Sequence, residues 1–231
     1  MPILTLAAVL LMSAHSGAQD LASTLPMVVT SGEGMVQRAP DRAFVTVAVE
    51  AHATSPRDAQ RQNADAMAEV LKRLTDARVP KDSIRTLGYG LDQEFDFIQG
   101  RRVARGFAAR NAVEVRVDDV ARIGEVVDTV VQGGATAVNG IRFDLQDRAA
   151  VEREALRLAV ADARARAEAA ASGAGRTIDR IIRIEDARES RIIPPRPMAT
   201  MAMRTEAAQE TPIEPGVIEV RARVTLTASM K

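Results

Sequence analysis

Residues 27–51 read MVVTSGEGMVQRAPDRAFVTVAVEA. In the second half of this stretch Val45, Val47 and Val49 fall at every other position. That is the period of a strand with one face in a core. The first half, from Met27 to Val36, is another strand-forming run, interrupted by Gly32 and Gly34, where the spacing predicts a β-bulge. Between the runs lies Ala39-Pro40-Asp41, a turn short enough to predict an antiparallel hairpin.

Downstream, Ser55-Pro56-Arg57-Asp58 has the residues of a helix start: a capping hydroxyl, a proline at the first helical position, and an acid for a capping box. Asn63, Met67, Val70 and Leu74 then share one face, up to an end near Arg78. Ile84 to Phe97 and Arg102 to Val117 form a long hairpin around Gln99-Gly100. Asp118 is the expected cap of a second helix with the stripe Val120, Ile123, Val127 and Val130, stopped by Gly133-Gly134. A strand follows at Ile141, Phe143 and Leu145. The longest helix runs from Asp147 to Ser172-Gly173, with Ala149, Leu156, Val160, Ala163, Ala167 and Ala170 expected on its buried face. A face so rich in alanine allows close approach to a neighbour. Its other faces pair Asp162 with Arg166 and Arg164 with Glu168, at four-residue spacing.

Ile178 to Glu185 and Val217 to Thr227 are the last strands. In the second, Ile218, Val220, Ala222, Val224 and Leu226 alternate with Glu219, Arg221, Arg223 and Thr225. One side meets a core, the other water or a partner subunit. Between them, residues 190–216 hold Pro194, Pro195, Pro197, Pro212 and Pro215, which predicts a long mobile loop without a ladder. The order ββαββαβαββ, mostly antiparallel with three helices, is an α+β architecture. Rossmann and flavodoxin-like folds need a regular βαβ alternation that this order lacks.

The chain has 231 residues, of which 46% are hydrophobic but only 3% aromatic, so its core is aliphatic. Lys+Arg and Asp+Glu both total 31. A nucleic-acid binder shows a basic excess, so nucleic acid is not an expected partner. There is no cysteine, which excludes disulfides, thiol catalysis, thiolate metal sites and a lipidated anchor. Ile3 to Met12 is an apolar run of signal-peptide length, too short to span a bilayer, and Ser16-Gly17-Ala18 supplies small residues for cleavage after Ala18. No Lys or Arg precedes the run. Either the amino terminus supplies the positive charge, or the true start lies elsewhere. The expected organisation is a signal peptide at 1–18, a flexible segment at 19–26 and one domain at 27–230, open to division into subdomains near 27–118 and 119–230.

Candidate chemistry is sparse. His52 is the sole histidine after residue 18, and a Ser-His-acid triad would have to use it. One ring is too few for a histidine-based metal site, and the sequence favours a surface histidine at a strand end. Asp92, Glu94 and Asp96 share a strand face and could hold a hard cation, but pairing with Arg101, Arg102 and Arg105 across the hairpin is the better reading. Ser31-Gly32-Glu33-Gly34 lacks the third glycine of a dinucleotide fingerprint. Met198, Met201 and Met203, in the proline-rich segment, are soft thioethers that could bind Cu(I) or consume oxidants. Ordering three ligands in a flexible segment opposes this. The residues favour no catalytic group and no cofactor.

Several stretches resemble the SIMPL-domain family. They are TSGEGMVQRAPDRAFVTVAV, VPKDSIRTLGYGLDQEF, RGFAARNAVEVRVDDVARIGEVVDTVVQGGATAVNGIRFDLQD, EALRLAVADARARAEAAASGAG and PIEPGVIEVRARVTLT. Phe107 stands where the family usually has Tyr. The resemblance spans about Val28 to Thr227. It implies a periplasmic, non-enzymatic protein, with homo-oligomerisation and defence against oxidative stress among its relatives' properties, and no established catalytic residues. Alternative readings are copper handling through the methionines and a protein-binding adaptor or chaperone in the cell envelope.

Overall fold

A computed structural model of the protein describes residues 26–187, the backbone of 193–196, and residues 212–231. The signal-peptide reading and the Met198, Met201, Met203 cluster lie outside the described residues. The elements are β1 (Met27–Arg38), β2 (Arg42–Ala53), α1 (Pro56–Asp76), β3 (Ile84–Ile98), β4 (Arg101–Val117), α2 (Ile123–Gln132), β5 (Ala137–Asp144), α3 (Arg148–Gly173), β6 (Ile178–Asp186), β7 (Ile193–Arg196) and β8 (Val217–Met230). They build two antiparallel sheets, one ordered β3-β4-β2-β5 and the other β1-β8-β6, with β7 also on β8. The α+β class expected from the sequence is the observed one. The sheets do not follow the chain in halves: β1 joins the sheet of β8, while α2 and β5 belong with β2.

The expected β1–β2 hairpin does not form. β1 pairs with β8 along its whole length, from Met27↔Ser229 to Arg38↔Ile218, whereas β2 lies between β4 and β5. The common three-residue hairpin loop ends on a residue with positive φ, and no residue of 39–41 has it. The proline-containing link instead carries the chain from one sheet to the other. The β3–β4 hairpin does form, and its turn residues Gln99 and Gly100 have φ of 51° and 78°.

Nor does β1 bulge at its glycines; its register with β8 is unbroken. The glycines serve a close approach. A Cβ on Gly32 would lie 2.2 Å from Ala159 O and Ala163 N, and one on Gly34 would lie 2.0 Å from Ala155 O. α3 thus packs its backbone directly on β1 and β8, and Thr30 Oγ1 donates to Ala163 O at 2.7 Å. The buried track is Val151, Ala155, Ala159, Ala163, Ala167 and Ala171. Ala149 and Ala170 are exposed, and Leu156 and Val160 sit on the flank, against the same cluster. Steps of four residues rotate a stripe by about 40° each on a 3.6-residue helix. The track therefore winds, and a twisted sheet follows it.

The other core lies between α1, α2 and one face of β2 and β4. There Val45, Val47, Val49, Val113 and Val115 meet Met67, Val70, Leu74, Ile123 and Val130. Each such side chain contributes about 1.5–3 kcal/mol on burial. Asn63, fully buried in the α1 stripe, donates from Nδ2 to Val49 O (2.8 Å) and Ala109 O (2.9 Å), pinning the helix to both strands. Ser55 caps α1 as expected, accepting from Asp58 N. The cap before α2 is Asp119, not Asp118; it accepts from Ala121 N in the short 3₁₀ turn that leads into the helix. Asp118 is taken up by Arg42 (2.6 Å) and Arg116 (3.1 Å). Nor do the prolines exclude a ladder: β7 pairs to β8 through Ile193 and Arg196, which flank Pro194-Pro195. Proline is tolerated on such an edge because it need not donate.

Candidate functional site

Two features stand out. The first is a polar cluster on the face of β2-β4-β3 turned away from α1. Glu50 and His52 lie two residues apart on β2, so they share this face. In the β4 register, His52 and Asp92 both oppose Ala108, and Glu94 opposes Gly106. These small β4 residues leave room for side chains from β2 and β3 to meet over the middle strand. His52 Nδ1 lies 2.9 Å from Glu94 Oε2, and His52 Nε2 lies 3.2 Å from Glu50 Oε1. Arg110, opposite Glu50 on β4, donates to Glu50 Oε1 at 2.7 Å and to Glu94 Oε1 at 3.5 Å, with Asp92 3.9 Å away. The hydrogen bond to Glu50 raises the Arg110 pKa against the effect of desolvation, helped by the charges of Glu50, Glu94 and Asp92. One ligand atom each from Glu50, His52 and Glu94 fall within 4.8 Å of one another, so these three side chains could hold a metal ion.

The sequence predicts His52 at the surface but does not join it to Glu50, Glu94 and Arg110. The Glu50-Ala51-His52 spacing was visible; the pairing that brings Glu94 over β4 was not. Among the acids of β3, only Asp96 meets one of the expected arginines, Arg105 at 4.0 Å. Asp92 and Glu94 face Arg110, and Arg102 lies over the Phe95 ring at 3.5 Å.

The second feature is apolar. β2 covers β4 only as far as Phe107, so the rest of the β3–β4 hairpin projects past it. The hairpin exposes Leu87, Tyr89, Leu91, Phe97, Ile98 and Val103, by 38% at Leu91 and 77% at Phe97. Among the described residues, β3 is also an open edge of its sheet. On the second sheet, the face turned away from α3 carries Met27, Val29 and Met35 beside Glu33–Arg223 and Glu219–Arg221 ion pairs. The outer edge of β1 is partly closed, because Glu33 N donates to Asp162 Oδ2 at 2.9 Å. That bond, followed by the ion pair to Arg166, holds the Asp162 carboxyl below its ordinary pKa. Asp162–Arg166 and Arg164–Glu168 both form as the sequence implied. No helix among the described residues is long and apolar enough to cross a membrane.

The molecule is thus a two-sheet antiparallel α+β protein, with one sheet backed by α1 and α2 and the other by a single alanine-faced helix. The chain belongs to the SIMPL family, described as a protein of unknown function (DUF541), whose pattern matches residues 28–228. It is similar to the 26 kDa periplasmic immunogenic protein of Brucella melitensis, with 26% identity over 186 residues, or 78% of this chain and 74% of the relative. It is also similar to the uncharacterized protein YggE of Escherichia coli K12, with 22% identity over 161 residues, or 70% of this chain and 65% of that protein. Neither name states a reaction. An amidase of the hydantoinase/carbamoylase family from Burkholderia phymatum aligns at 16% identity over 62% of this chain and 39% of its own, with a TM-score of 0.19, which carries no argument.

Proposed function

We propose that this is an exported, non-enzymatic protein of the bacterial periplasm that acts by associating with further copies of itself, contributing to protection of the envelope under oxidative stress. The observation that carries the association is the β3–β4 hairpin, with Phe97, Ile98 and Val103 exposed on its projecting part and Leu87, Tyr89 and Leu91 exposed along its β3 edge. Exposed apolar side chains gathered on one hairpin are a liability on a monomer and an asset in an interface. The open β3 edge adds unpaired backbone groups for a neighbouring strand. Export is supported by the apolar run at residues 3–12 with small residues before Gln19, and by the periplasmic name of the Brucella relative. The non-enzymatic reading is supported by the cluster around His52: the imidazole is held between carboxylates, and among the described residues no serine, threonine or tyrosine hydroxyl is its hydrogen-bond partner. The role under oxidative stress rests on the family resemblance alone.

The association is tested by replacing Phe97 and Ile98 together with Ser and measuring mass by multi-angle light scattering. The expected outcome is a shift of the assembly toward monomer with unchanged circular dichroism. An unchanged mass distribution would place the interface elsewhere and remove the hairpin from the account. The envelope role is tested by deleting the gene and measuring peroxide survival; survival equal to the parent contradicts it.

A further inference from the structure

We propose that Glu50, His52 and Glu94 form a binding site for a divalent late-transition-metal cation of the Zn²⁺ type. The inference is independent of the self-association above and starts from the imidazole. Both ring nitrogens of His52 face carboxylate oxygens, Nδ1 toward Glu94 Oε2 at 2.9 Å and Nε2 toward Glu50 Oε1 at 3.2 Å. A neutral imidazole has one N–H. In that form one of the two contacts sets a nitrogen lone pair against a carboxylate oxygen with nothing between them. A metal ion bound at that nitrogen and shared with the carboxylate satisfies both.

Charge and ligand chemistry favour a metal of a definite kind. Glu50, Glu94 and Asp92 outnumber the Arg110 guanidinium that sits among them, so the cluster stays negative. One imidazole nitrogen and two carboxylate oxygens are a borderline donor set, suited to Zn²⁺ and its neighbours rather than to Ca²⁺ or Mg²⁺, which take oxygen alone. The three ligand atoms lie within 4.8 Å of one another. Around tetrahedral Zn²⁺, with bonds of about 2.0–2.2 Å, they must close to about 3.3 Å. Side-chain rotation supplies that, because His52 is 54% exposed and Glu50 is 33% exposed. The backbone fixes the rest: Glu50 and His52 are held on one strand, and Glu94 is set over Gly106 by the β4 register. With three protein ligands, the fourth position falls to water. Arg110 opposes the metal, since it holds Oε1 of both glutamates.

The test is calorimetric titration of the purified, tag-free chain with ZnCl₂. Zinc keeps the thioethers of Met198, Met201 and Met203 out of the measurement, because they favour Cu(I). One Zn²⁺ per chain is expected, with binding weakened at least about tenfold in His52→Gln and in Glu94→Gln. Arg110→Gln is expected to tighten it, an effect that a purely structural ion-pair network does not produce. Independently of any variant, the His52 ring resonances are expected to shift on adding Zn²⁺. Absence of binding at millimolar Zn²⁺, equal affinity in His52→Gln, or unmoved His52 resonances would each overturn the proposal.

Discussion

Replacing Gly32 by Ala adds one methyl group to the molecule, yet the structure predicts a large loss of stability. Gly32 does not need a left-handed backbone, since its φ is not among the positive ones. Alanine can therefore adopt the native conformation, and restricting the unfolded chain would by itself stabilise the protein by about 0.4–1 kcal/mol. Packing reverses the sign. The new Cβ would lie 2.2 Å from Ala159 O and Ala163 N and 2.7 Å from Ala163 Cα, all backbone atoms that no rotamer change can move. To restore an ordinary contact of 3.4 Å, α3 must retreat by about 1.2 Å at this point. That retreat loosens Ala159, Ala163 and Ala167 from Val224, Leu226 and Ala228. Overpacking of a well-fitted core costs about 1–3 kcal/mol, and a backbone clash belongs at the upper end, so the expected net loss is about 2–3 kcal/mol. Gly88 is the internal control. It also lies in a strand without positive φ, but a Cβ added there would meet nothing within 4 Å. Gly88→Ala is expected to be neutral or stabilising by up to about 1 kcal/mol. Urea unfolding of both variants measures the difference. If Gly32→Ala loses under about 0.5 kcal/mol, or loses no more than Gly88→Ala, the close seating of α3 on β1 is refuted.

Two further outcomes follow from the cores and their borders. Asn63→Ala removes two buried hydrogen bonds, to Val49 O and Ala109 O, and leaves a void between α1 and the sheet. At about 0.5–1.5 kcal/mol per bond plus the void, the expected loss is about 2–4 kcal/mol by denaturant unfolding, and a loss below about 1 kcal/mol contradicts the pinning role. Asp118 supplies a pH dependence. Burial works to raise its pKa, but the hydrogen bond and charge of Arg42, with Arg116, win and hold it below the ordinary 3.8. Its folded pKa is depressed, so its stabilisation is present above the unfolded value and lost as pH falls through the folded one. The pair is partly exposed, so the gain over Asp118→Asn is below about 1 kcal/mol near neutrality. Thermal melts at descending pH are expected to show that gain vanish in acid; a constant difference contradicts the assignment.

Much of the local structure was legible in the chain, because it is written at short range. The alternation of Val45, Val47 and Val49, the Ser55-Pro56 start of α1, its Asn63, Met67, Val70 and Leu74 face, the Gln99-Gly100 turn and the Asp147 start of α3 all appear where the residues place them. The errors fall where partners are distant. β1 and β2 adjoin in sequence, but β1 finds its partner far along the chain, with Met27 on Ser229 and Arg38 on Ile218, and nothing in Ala39-Pro40-Asp41 announces this. The same distance hid the meaning of Gly32 and Gly34, which read locally as bulge signals and serve a helix far along the chain. The cluster around His52 needed the register of three strands at once. Each strand shows which of its residues share a face; only the pairing sets Glu94 and His52 within 2.9 Å.

The claim on which the functional reading rests is that the projecting hairpin is an interface between copies. Sedimentation equilibrium of the purified chain from Gln19 onward, at micromolar concentration, bears on it without any variant. The account predicts a defined species at a multiple of the protomer mass, where the full 231-residue chain weighs 24.8 kDa. A single species of protomer mass across the concentration range would contradict it.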